Sequence, residues 1–127
     1  MTKTKAALTF NLLAVLIIIF QLALALGMPW GELTWGGSFP GVLPPHMRGV
    51  CVFSAILLIA FAWVVSVRTG FLFPSQQKTS RKLIWVVVAY SALGVIANIM
   101  TPSFWERVVW LPVALVLLAS SFIVARK

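Results

Sequence analysis

Four long runs without a single charged residue constrain this chain more than anything else in it. They are Ala6–Leu26, Gly49–Val67, Leu83–Met100 and Val108–Ala125, each of 18 to 21 residues. A hydrocarbon core takes about 20 helical residues to cross. Inside it every backbone N–H and C=O must be satisfied within its own segment or in a closed barrel. None of the runs alternates polar and apolar residues with the period of two that a barrel strand needs. The expectation is an all-α fold: one integral membrane four-helix bundle spanning residues 1–127, with spans near 6–26, 49–67, 83–100 and 104–125. A mean hydropathy of +1.05 supports this. Only 9% of residues are charged, against about 25% in an ordinary soluble domain, and disorder needs low hydrophobicity.

The direction of crossing follows from the charges. Four spans place the N-terminus, the middle loop and the C-terminus on one side. That side carries Lys3, Lys5, Arg68, Lys78, Arg81, Lys82, Arg126 and Lys127, whereas the other carries only Arg48 and Arg107. Lysine and arginine are retained on the cytoplasmic side, so both termini are expected there, in a bacterial inner membrane. The net charge of +8 is then an orientation and headgroup signal, and no nucleic-acid partner is expected, since no basic stripe or base-stacking motif accompanies it. The opening "MTKTK", an apolar run and "ALA" at 23–25 also resemble a signal peptide. The run is longer than a usual h-region, so an uncleaved first helix is expected.

Between the first two spans lies "GMPWGELTWGGSFPGVLPPHMR", residues 27–48, with five glycines, four prolines and two tryptophans. Such residues mark specific turns, and a structureless connection of this length is uncommon unless it works. The segment is expected to fold back as a lid, with Glu32 pairing to Arg48 or Arg107. Trp30, Trp35, Trp105 and Trp110 fall near one membrane surface and Trp63 and Trp85 near the other, the distribution of aromatic belts. His46 reads as a loop residue rather than a metal ligand. The lone Cys51 excludes an intramolecular disulfide and dithiol chemistry and reads as a small hydrophobe. No cofactor or metal is expected.

Polar residues in the spans gather towards the lid side. Gln21, Ser54 and Asn98 lie there, below Glu32, Arg48, Glu106 and Arg107. Ser91, Gly94 and Asn98 fall on one helix face, a pattern suited to close helix packing. Ser103 and Glu106 have capping-box spacing, Pro112 interrupts the fourth span's hydrogen bonding near Val108, and Thr79 or Ser80 is placed to cap the third helix. "PWGE" and "FWER" hint at a duplicated hairpin.

The segments "ALGMPWGELTWGGSFPGVLPPHMR" and "TPSFWERVVWLPVALVLL" resemble a family of small bacterial four-helix membrane proteins. Its marks are a P-W-G-E/T-W-G-G/P-G-x-L-P exterior loop and S-x-x-E-R-x-x-W-x-P at the start of the last helix. The resemblance implies the architecture and adds no substrate. A small multidrug exporter would need a glutamate in the first span, a thiol oxidoreductase paired cysteines, and a bis-histidine haem protein more than His46. No phosphate-cradling glycine loop is present.

Two functional readings remain foremost. The chain binds a small amphipathic or lipid-like ligand at its outer mouth, through Glu32, Arg48, Trp30, Trp35, Gln21, Asn98 and Glu106. Alternatively it is an accessory subunit, packing on a membrane-protein partner or on copies of itself through the Ser91/Gly94/Asn98 face. Transport is disfavoured by the absence of charge within the spans. An enzyme using Glu32 and Glu106 would need both carboxylates within reach of one substrate, and non-enzymatic action is preferred.

Overall fold

A computed structural model describes residues 2–126; Lys127, counted above among the basic residues, lies outside them. Four helices make up nearly all of it: α1 Lys3–Ala25, α2 Pro45–Thr69, α3 Gln77–Met100 and α4 Phe104–Arg126. All four are long and apolar enough to cross a membrane, which makes this a multi-pass membrane protein by length and composition. The helices form an up-and-down ring. α1 lies between α2 and α4, and α3 lies between α4 and α2. The tightest pairs are the sequential hairpins α1/α2 and α3/α4, and the seam between α2 and α3 is the sparsest of the four.

The ends of the helices obey local chemistry. Thr2 caps α1, its hydroxyl oxygen accepting from the Lys5 N–H at 3.2 Å. α1 ends in a left-handed glycine, Gly27 at φ +105°. The Gly27 and Met28 N–H groups return to the carbonyls of Leu24 and Ala23. α2 closes the same way at Gly70, φ +94°, with Gly70 and Phe71 donating to Val67 and Ser66. Both are Schellman closures, which satisfy carbonyls that the helix end would otherwise strand. α2 opens on Pro45 at its first position, where a missing N–H costs nothing.

α3 starts earlier than expected. Pro74–Gln76 forms a 3₁₀ turn that leads straight into Gln77, so Thr79 and Ser80 sit inside the first turn and neither caps it. The Ser80 hydroxyl donates back to the Gln77 carbonyl at 2.9 Å. α4 runs on through Pro112; the proline removes the hydrogen bond that the Val108 carbonyl would have accepted.

Each end of the bundle has its own core. At the end holding the termini and the 70–76 turn, Ala6, Ala7 and Phe10 of α1 interlock with Phe61 and Val65 of α2. Ile84 and Val87 of α3 and Val124 of α4 complete that core. The Asn11 amide donates to the Ser66 hydroxyl at 2.9 Å, tying α1 to α2. At the loop end a second, smaller core joins Leu24, Leu43 and Cys51, with Phe20, Phe39 and Met47 around it. It fastens the loop to α1 and α2 and leaves α3 out. Large apolar side chains exposed on the outward faces, such as Leu12, Phe53, Ile56 and Leu93, present the apolar surface that lipid tails would cover.

Candidate functional site

The loop folds back over its end of the bundle, as expected of a lid. Two short 3₁₀ turns, Gly31–Leu33 and Trp35–Gly37, shape it. Gly31 is the pivot. Its N–H donates to the Gly41 carbonyl at 2.8 Å, drawing the two limbs of the loop together. A Cβ at this position would stand 1.8 Å from the Phe39 carbonyl oxygen and 2.7 Å from that of Gly41. Only glycine fits. Leu43, 2% exposed, plugs the second limb into the core beside Leu24 and Cys51; burying such a side chain contributes about 1.5–3 kcal/mol.

The other limb is fastened by the opening of α4. The Ser103 hydroxyl donates to the Glu32 carbonyl at 2.9 Å. The Trp110 indole N–H donates to the Leu33 carbonyl at 2.8 Å. The Gly36 N–H donates to Glu106 Oε2 at 2.8 Å. The backbone pays for this path with three successive positive φ angles at Trp35, Gly36 and Gly37; for Trp35 that conformation costs on the order of 1–2 kcal/mol.

Two expectations about these contacts need correction. The lid is not held by an ion pair through Glu32. Arg48 donates its Nε to the Ala25 carbonyl at 2.8 Å, capping the end of α1, and Arg107 donates to the Thr101 carbonyl. The Glu32 side chain is exposed. The capping box is also only half formed. The Glu106 N–H does reach Ser103 Oγ at 3.2 Å, but the Ser103 N–H turns to Thr101 Oγ1. The Glu106 carboxylate is thereby released to hold the lid.

Beneath the lid the bundle is hollow. A cavity of about 180 Å³ occupies the loop-end half, between all four helices. Leu33 and Thr34 of the lid roof it, and Leu58 and Leu117 lie at its floor. Its polar wall is Gln21 of α1, Ser91 and Asn98 of α3, and Glu106 of α4. Tyr90, 38% exposed, stands at its edge on α3, its ring edge-on to Phe61 of α2 at 4.9 Å. α2 contributes only Leu58 to the lining, and its seam with α3 is the sparsest of the four.

The Ser91/Gly94/Asn98 face lines the cavity. It looks into this space, and a Cβ built on Gly94 meets nothing within 4 Å. Ser91 donates to the Val87 carbonyl at 2.9 Å and Asn98 to the Gly94 carbonyl at 2.7 Å. Gln21 is different: its Oε1 is buried and has no hydrogen-bond partner. A buried acceptor left unpaired costs on the order of 1–3 kcal/mol.

Of the residues expected at the site, Gln21, Asn98 and Glu106 share the cavity wall. Trp30 stands one layer back, stacked on the lining residue Phe20 with centroids 6.1 Å apart and planes 7° from parallel. Trp35, Glu32 and Arg48 lie outside the wall. Phe20, Thr34, Tyr90 and Trp110 are lining residues that the sequence analysis did not assign to the site. Trp110 had a visible signal, a tryptophan one turn beyond Glu106 on the same face; Tyr90 adjoins the Ser91 face. No metal-binding group of three or more His, Cys, Asp or Glu occurs among the described residues. No family model, curated protein or solved structure matches the chain.

Proposed function

We propose that this is a multi-pass protein of a bacterial inner membrane, both termini cytoplasmic, that binds the head of a small amphipathic or lipid-like molecule in the lidded cavity. The orientation rests on the basic residues flanking the termini and the middle turn. The bacterial assignment rests on the resemblance of the loop and the α4 opening. One observation carries the binding reading: the space under the lid lies between all four helices, and an unpaired Gln21 oxygen is buried in its wall. Concave, mainly apolar sites with a few converging polar groups are the usual form of small-molecule pockets. The volume sets the scale of the ligand. An apolar cavity of about 150 Å³ accommodates one benzene, so this one takes a single ring or a compact headgroup, its tail leaving between α2 and α3.

The accessory-subunit reading rests on the Ser91/Gly94/Asn98 face, and that face is turned inward. Glu32 and Glu106 do not converge, since the Glu32 side chain is exposed while Glu106 lines the cavity.

Filling the hollow tests the proposal. Gly94→Leu places a side chain into open space without a backbone clash. Native mass spectrometry of the protein extracted in mild detergent is expected to show a retained small molecule. The Gly94→Leu protein is expected to lose it. Equal retention by both proteins refutes binding in the cavity.

A further inference from the structure

The polarity of the cavity is lopsided. Three of its donors are spent within the protein. The Ser91 hydroxyl and the Asn98 amide donate to carbonyls of their own helix, and the Trp110 indole donates to the lid. Its one charged group is an acceptor. Gln21 Oε1 is buried and unpaired. Glu106 has one oxygen engaged by the Gly36 N–H, and its second has no protein donor among the described residues. No lysine, arginine or histidine lines the space. The Gln21 amide nitrogen and the Thr34 and Tyr90 hydroxyls can donate, but none carries a positive charge to meet an anion.

A carboxylate in the wall of a space that no cation lines repels a second anion. The same carboxylate attracts a protonated amine and makes with it a hydrogen bond roughly twice as strong as a neutral one. We infer that the cavity selects an amphipathic amine, a protonated nitrogen on a ring-sized apolar body, and turns away carboxylate and phosphate heads. The inference rests on the cavity being the ligand site proposed above. The nitrogen sits between Glu106 and Gln21, the apolar body lies against Phe20 and Leu58, and any longer tail follows the α2/α3 seam.

Three probes that share one body decide this: para-octylbenzylamine, para-octylbenzyl alcohol and para-octylbenzoate. Each is titrated at neutral pH into the full chain in uncharged detergent, with quenching of tryptophan fluorescence as the signal. Gly94→Leu protein in the same detergent supplies the baseline for partition into micelles. The amine is expected to bind at least about tenfold more tightly than the benzoate, the scale of one charge-assisted hydrogen bond. Glu106→Gln keeps an oxygen to accept from Gly36, so the lid stays tethered, while the charge is lost. It is expected to erase the preference for amine over benzoate. Benzoate binding as tightly as the amine overturns the inference with the site intact, as does an amine preference that survives Glu106→Gln. If all three probes titrate the Gly94→Leu protein as they do the native one, the ligand-site proposal itself falls.

Discussion

At single positions, the glycines separate into those the fold demands and those it merely contains. Gly31 is demanded by contact, with two carbonyl oxygens where a Cβ would go. Gly31→Ala is expected to cost at least the roughly 1–3 kcal/mol of an overpacked core and to expose the loop to protease in detergent. Gly41 has φ +80° and nothing within 4 Å, so Gly41→Ala pays only the left-handed penalty, about 1–2 kcal/mol, and keeps the loop closed. Gly49 lies within α2 with open space around it. Gly49→Ala is expected to raise the thermal midpoint, by up to the roughly 1 kcal/mol that separates alanine from glycine in a helix. The sequence marked the loop as rich in turns without ranking these positions, because what distinguishes Gly31 is a carbonyl eight residues away in the chain. Glu106 was likewise half legible. The spacing from Ser103 gave the Ser103 side of the cap, but nothing local reveals that the carboxylate leaves the helix for Gly36.

At the scale of elements, α4 both spans the bundle and holds the lid. Trp110→Phe keeps the ring and removes the N–H, leaving the Leu33 carbonyl unpaired beside the cavity. A cost of about 1–3 kcal/mol is expected, and it falls on the lid more than on the bundle. Hydrogen exchange at residues 31–37 should therefore quicken, while the buried face of α4 near Leu117 and Val124 keeps its protection. Equal loosening of both would show that the indole supports the bundle and not the lid. The helices themselves were readable from the charge-free runs, with boundaries extended by a turn or more where lysines, arginines and prolines were accommodated: α2 begins at Pro45 and α3 at Gln77. The Ser91/Gly94/Asn98 face was legible as one face, and all three residues line the cavity. Small residues permit close approach but do not compel it, and which helix comes near is decided by the other three.

For the molecule as a whole, the antiparallel ring brings the termini and the 70–76 turn to one end and the lid to the other. Native Cys51 is buried, which leaves room for a simple test of orientation. Ser38 and Ser75 are both exposed, on opposite ends. Ser38→Cys is expected to react with an impermeant maleimide on intact cells and Ser75→Cys only after lysis. The reverse pattern would invert the proposed topology. Composition and charge distribution sufficed for the architecture because membrane insertion depends on bulk properties of long segments. The cavity under the lid did not follow from them, since a void is a property of four helices at once and leaves no mark on any one of them. The fastening of the lid has its own consequence. Ser103, Trp110 and Glu106 all grip main-chain atoms, those of Glu32, Leu33 and Gly36. The latch is blind to the letters it holds and sensitive only to the path they trace, so the outward side chains of this segment are free to drift while the glycines that bend it are not.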